Sequence, residues 1–333
     1  MVLRGARARR ARLVPGARDL CGLRHHRRFR SPRVAARARA LERRTPMWVL
    51  ALIFCLGDST VALRVPVARA ESLQVSVTGD GRPVVLIPGL FGSQFGFRNV
   101  VPRLTKAGYR VIVIEPLGIG SSARPEDSDY SLTAQADRIA AVLDTLGVRA
   151  AVLVAHSLGA SMAYRLAYRR PDLVGGIVSL EGGPAEAAAT PSFRRAMRFA
   201  PWIKWFGGIG RIRSKIRRSL VAASGDTSWV TDSVVAAYTA GAAADLDGTL
   251  KAFMRMAQAH ERERLAPHLG EIHCPVRLLV GTARHEGGVP AGDVEQLRTG
   301  LSSFSIASVL GSGLYIYEEQ PQAVVDAVKA VGL

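Results

Sequence analysis

From Leu73 onward the chain alternates between short apolar runs rich in β-branched residues and longer stretches whose apolar positions recur every three or four residues. The first pattern predicts buried strands, the second helices that bury one face. Strands are predicted at Leu73–Val77, Pro83–Ile87, Arg110–Ile114, Ala150–Ala155 and Gly176–Leu180. Helices are predicted near Val100–Ala107, over Thr133–Leu146 and from Leu158. In the second of these, Ala136, Ile139, Ala140, Leu143 and Leu146 fall on one side. Between Gly182 and His273 the strand signals stop, and apolar, aromatic and basic helical stretches replace them. The alternation then resumes with Pro275–Val280, a helix near Asp293–Leu301, a strand at Phe304–Leu310 and a last helix carrying Val324, Val325 and Val328. Continuous apolar strands separated by helices imply an α/β fold, a mostly parallel twisted sheet with helices on both faces. The interruption implies an inserted helical cap over residues 184–270, with the core formed by 71–183 and 271–333.

The 333 residues, 48% hydrophobic, are enough for a domain of enzyme size. A formal charge of +18 suggests nucleic acid or membrane until it is located. Residues 1–46 hold fifteen arginines against Asp19 and Glu42, with no periodic apolar face. Such a segment reads as a disordered arm, and as translated upstream sequence outside the true protein. Residues 71–333 carry 28 basic and 24 acidic residues, so the globular part is not strongly basic and no nucleic-acid partner is expected. Segment 47–70 has Arg43 and Arg44 before it, an apolar run from Met47 to Leu56, and Ala68-Arg69-Ala70 at its end. That order is signal-peptide-like, and the run is too short to cross a bilayer. It predicts an exported (periplasmic or secreted) or membrane-associated protein; the alternative is a cytoplasmic one with the apolar segment packed on the domain. Only Cys274 lies beyond residue 70, so the folded part has no intramolecular disulfide.

The sharpest local signal is "VLVAHSLGASMAYRLA", in which Ser157 sits between a strand and a helix with Ala155 two before it and Gly159 two after. A nucleophile on so tight a turn requires small residues at both flanking positions. An N-capping serine would use the same placement. With "LIPGLFGS", "IEPLGIGSSARP" and "YEEQPQAVVDAV" in order around it, the chain resembles the α/β-hydrolase superfamily, in its group of single-domain hydrolases with a helical cap. The resemblance runs from about Val84 to Val331 and departs from the usual pattern at Pro88, Glu115 and Ala155. It implies an oxyanion hole from the backbone N–H groups of Leu90 and Leu158, and acyl transfer through an acyl-enzyme on Ser157. An aspartate at the elbow would instead imply dehalogenase or epoxide hydrolase chemistry. For the acid, the resemblance implies Glu181 after the strand following the elbow helix, with Glu286 as the alternative.

In the family pattern the last strand-to-helix loop carries the catalytic histidine, where this chain reads Gly311-Ser312-Gly313-Leu314-Tyr315. The two glycines are expected to take positive φ and present Leu314 at the loop apex. His156 precedes the nucleophile and is expected to point elsewhere, His260, His268 and His273 lie in or after the cap, and His285 is the alternative base. The chain is thus expected to be a serine hydrolase of esterase or lipase type, acting on a small-molecule ester or acyl substrate with little turnover. The alternative is a pseudoenzyme binding a small apolar ligand under the cap. Neither reading requires a metal or organic cofactor. Nine basic residues and no acidic one between Arg194 and Arg218, interleaved with Phe199, Trp202, Trp205 and Phe206, add an expectation of membrane-surface contact.

Overall fold

Eight strands, β1 (Val61–Ala68), β2 (Glu71–Thr78), β3 (Arg82–Ile87), β4 (Tyr109–Glu115), β5 (Ala151–His156), β6 (Val174–Leu180), β7 (Val276–Gly281) and β8 (Phe304–Val309), form one sheet in the order β1-β2-β4-β3-β5-β6-β7-β8. The structure is a computed structural model that describes residues 59–198 and 208–332, all within the unit Cys55–Leu333. β1 and β2, and β2 and β4, pair antiparallel. Every other neighbouring pair is parallel.

All six residues of β5 are buried, as the continuous apolar run of a central parallel strand requires. In β3 the period of two sends Val84 and Leu86 to one core cluster and Val85 and Ile87 to the other. On one face α2 (Leu132–Thr145) and α3 (Leu158–Arg169) bury Ile139, Leu143, Met162 and Leu166. On the other, α1 (Val101–Lys106) and the final helix α11 (Pro321–Val331) bury Leu104, Val324 and Val328. Ser131 caps α2 by accepting from Ala134 N at 3.2 Å.

Between β6 and β7 the described residues are helical: α4 (Pro191–Met197), α5 (Gly208–Ala222), α6 (Asp232–Tyr238), α7 (Ala240–Ala244), α8 (Leu246–Gln258) and a 3₁₀ turn at Ala266–Glu271. α9 (Ala291–Gly300) follows β7, and the short α10 (Ile316–Glu319) follows β8. No helix of the described residues is long and apolar enough to cross a membrane.

One expectation needs correction. Part of the segment read as signal-peptide-like is a sheet strand: Val61–Ala68 is β1, and Ala68-Arg69-Ala70 closes the β1–β2 hairpin, with Ala70 at φ 61°. Cleavage after Ala70 would remove an edge strand. The sequence hid β1 because arginine and proline interrupt it, which an edge strand tolerates. The arm 1–46 and residues 47–58 lie outside the described residues.

Candidate active site

Ser157 follows β5 directly and opens α3 with φ 50° and ψ −118°. That conformation is strained for any side-chain-bearing residue. The turn is held by Ser157 N donating to Leu180 O at 2.9 Å. It also needs a glycine at 159: a Cβ there would lie 2.8 Å from the Ile87 carbonyl oxygen and 2.9 Å from that of Pro88. Ala155, fully buried, meets the same demand two residues earlier. The Ser157 hydroxyl bonds to no described residue, and the same holds for the N–H groups of Leu158, first in α3, and Leu90, in the loop after β3. These two free donors belong to loops that meet at Ser157, since a Cβ on Gly89 would stand 3.4 Å from Ser157 Cβ. The positive end of α3 adds to the field there.

Glu181, one residue past β6, also has positive φ (49°) and is buried. Its carboxylate accepts from Gly281 N at 2.5 Å and Val289 N at 3.1 Å. Burial pushes its pKa up, and the two N–H groups work against that shift. His285, from the loop after β7, brings Nε2 to 3.6 Å from Glu181 Oε1, while its Nδ1 lies 2.7 Å from the Ala283 carbonyl. Nδ1 must therefore carry a proton. Nε2 lies beyond hydrogen-bond distance of the carboxylate and has no partner among the described residues, and no contact among them joins the ring to Ser157. Glu286 is exposed, its carboxylate has no partner among the described residues, and it is not brought to Glu181 or His285.

Leu314 does not stand at the loop apex as its spacing implied. The apex is Leu310, 85% exposed, whereas Leu314 is half-buried with its N–H on Ala223 O at 2.8 Å. Of the two flanking glycines only Gly311 has positive φ. Gly313 is required by space, because a Cβ would fall 2.5 Å from the Ala223 carbonyl oxygen. His156 Nδ1 and Ser157 Cβ both stand close to Gly89, 3.1 Å and 3.4 Å from where its Cβ would be. The His156 ring is buried between Tyr315 and Tyr317, and its Nε2 lies 3.2 Å from the Leu314 carbonyl. Burial lowers its pKa to about 4, so the ring is neutral near pH 7 and Nδ1 is left without a partner.

Two supporting groups escaped the sequence reading. Arg165, fully buried two turns into α3, faces Glu186 at 3.4 Å and Glu261 at 3.6 Å. Glu261 also takes the N–H groups that open α2, and Glu186 those of Leu265 and Ala266. One arginine on the elbow helix thus joins both ends of the helical insertion to the core. Glu318 accepts from Arg98, Asn99 and Tyr238, tying the loop after β3 to α6 and α10. An arginine amid the small and apolar residues of "ASMAYRLA" was the available signal for the first; Glu318 offered none. No group of three or more His, Cys, Asp or Glu among the described residues could hold a metal ion.

The sheet order, the elbow after β5 and the helices on both faces define an α/β-hydrolase fold, and a family model described as alpha/beta hydrolase fold matches residues 82–225. The chain has the α/β-hydrolase fold, and its residues 82–225 match that family's model. It is similar to bifunctional epoxide hydrolase 2 of Sus scrofa, 35% identical over 103 residues, covering 31% of this chain and 19% of that protein. It is also similar to the sn-1-specific diacylglycerol lipase ABHD11 of Xenopus tropicalis, 32% identical over 117 residues, covering 35% of this chain and 36% of the relative. The similarity thus spans about a fifth to a third of these relatives' lengths. Among solved structures, the epoxide hydrolase CorEH superposes with a TM-score of 0.69 at 20% identity, covering 82% of this chain and 98% of the other.

Proposed function

We propose that the chain is a serine hydrolase of ester or related acyl substrates, impaired in turnover. Ser157 is the nucleophile, Glu181 the acid, and the N–H groups of Leu90 and Leu158 the oxyanion hole, while Leu314 occupies the place of the base. The observation that supports this most is the backbone at Ser157. A non-glycine residue at φ 50° and ψ −118° costs about 1–3 kcal/mol, and such strain persists where it aims a side chain. An elbow aspartate could attack an epoxide carbon through its carboxylate; Ser157 has only a hydroxyl. The reaction open to it is attack of Oγ on an acyl carbon, with the carbonyl electrons moving onto an oxygen that the two free N–H groups can hold. Collapse expels the alcohol and leaves an ester on Ser157, and water then releases the acid. The step that suffers is proton transfer: the Ser157 proton has no imidazole to receive it, and the leaving alcohol none to supply it.

The test is exposure of the chain to a fluorophosphonate, with peptide mass analysis. Slow, single-site modification of Ser157 that disappears in Ser157→Ala is expected. A chain that stays unmodified would contradict the reading and favour a second one, a pseudoenzyme holding a small apolar ligand under the insertion. That reading draws on Leu314 at the place of the base and on the edge-to-face cluster of Phe91, Phe193 and Phe253, which could wall an apolar site. Export or membrane association remains part of the proposal, with any cleavage placed before β1.

A further inference from the structure

Away from Ser157, a cavity of about 200 Å³ opens in the helical insertion, lined by Arg194, Met197 and Arg198 of α4 and its cap and by Met254, Ala257 and Gln258 of α8. Arg194 and Arg198 are one helical turn apart, so both guanidinium groups rise from the same side. Neither side chain has an ion-pair or hydrogen-bond partner among the described residues. The remaining wall is two thioethers, a methyl group and one amide, with no carboxylate. Close by in sequence, Arg195, Arg211, Lys215 and Arg218 are exposed as well. A stretch from 194 to 218 without an acidic residue keeps the local potential positive.

We propose that this cavity binds anionic amphiphiles. A carboxylate or phosphate headgroup sits between Arg194 and Arg198, and the first carbons of an alkyl chain lie along Met197, Met254 and Ala257. Two unpaired guanidinium groups select an anion and repel a cation. The methionines, soft and adaptable, select one that carries hydrocarbon over an inorganic ion. The volume lies below the ~300–1,000 Å³ of sites that enclose a whole drug-sized ligand, so only the head and the start of the chain are held. The site is distinct from the one at Ser157. Phe193 and Phe253, each adjacent in sequence to a lining residue, turn instead toward Phe91 of the loop after β3. The inference therefore stands or falls independently of Ser157 reactivity.

A dansyl-labelled fatty acid titrated into the full chain, then displaced by decanoate, decanol or inorganic phosphate, tests it. Decanoate should displace the probe at least about tenfold better than decanol or phosphate, the factor one lost charge-assisted contact produces. The double variant Arg194→Gln/Arg198→Gln, checked for native circular dichroism, should lose at least about tenfold in affinity. Met254→Asp, which sets a carboxylate in the wall, should weaken binding with the arginines intact. Sedimentation with phosphatidylglycerol or phosphatidylcholine vesicles separates the sources. Arginine-dependent capture by the anionic vesicles places the amphiphile in a bilayer, and displacement by decanoate without capture places it free in solution; either supports the proposal. Equal displacement by decanol and decanoate, unchanged affinity in the double variant, or arginine-dependent binding of heparin with no amphiphile bound would overturn it.

Discussion

The carboxyl ends of β5 and β6 differ from those of β7 and β8 in how they hold their side chains. At the first pair, Ser157 and Glu181 are non-glycine residues at positive φ, each fixed by backbone bonds to the neighbouring strand. At the second, positive φ falls on Gly287 and Gly311, and the side chains presented are a histidine held through Nδ1 on the Ala283 carbonyl and a leucine. Positive φ also falls on Ala70 and Ala150, so strain of about 1–3 kcal/mol per residue points to a site only together with the side chain it presents. The proposed nucleophile and acid carry that signature, and the proposed place of the base lacks it.

The largest effect is expected from rebuilding the weak half. Leu314→His should raise kcat/KM for p-nitrophenyl butyrate by about 10²–10⁴-fold, the range of general acid–base catalysis. An unchanged rate in the folded variant would show that the loop no longer aims at Ser157.

Next comes the link between the halves, His156 on the Leu314 carbonyl. Its folded pKa of about 4 lies below the ordinary 6.5, so the unfolded chain binds more protons between those values. Stability from the neutral ring is complete above pH 6.5 and falls as pH drops toward 4, by about 3 kcal/mol for a shift of this size. Urea denaturation at a series of pH values should show that slope in the wild type and its absence in His156→Gln.

A smaller effect separates the two candidate acids. Glu181→Gln sets an amide N–H against one of two backbone donors and should cost about 1–3 kcal/mol. Glu286→Gln, on an exposed side chain, should stay within about 0.5 kcal/mol. Similar losses for both in thermal denaturation would erase the distinction drawn between them.

How far the sequence revealed this site depended on locality. Ser157, Ala155 and Gly159 were legible because a strand-to-helix turn imposes its demands within five residues. Glu181 and Leu314 were singled out by the family resemblance, each in a strand-to-helix segment, the second just after Gly311-Ser312-Gly313. What could not be read were contacts made across the sheet. His285 against Glu181 joins positions about a hundred apart in the chain, and Glu318 gathers Arg98, Asn99 and Tyr238 from three segments. β1 was missed for a different reason: as an edge strand it exposes Ala62, Arg64, Pro66 and Ala68 between its more buried apolar positions, a pattern shared with unfolded tails.

In the proposed function Ser157 is a nucleophile without a working base, His285 included. The most direct measurement is the rate of Ser157 phosphonylation by a fluorophosphonate in His285→Ala beside the wild type, both shown to be folded. Rates equal within about twofold are expected, since the His285 ring is held through Nδ1 on Ala283 and no contact among the described residues brings its free Nε2 to Ser157. A loss of about a hundredfold or more, the low end of what a general base contributes, would make His285 the base and contradict that reading.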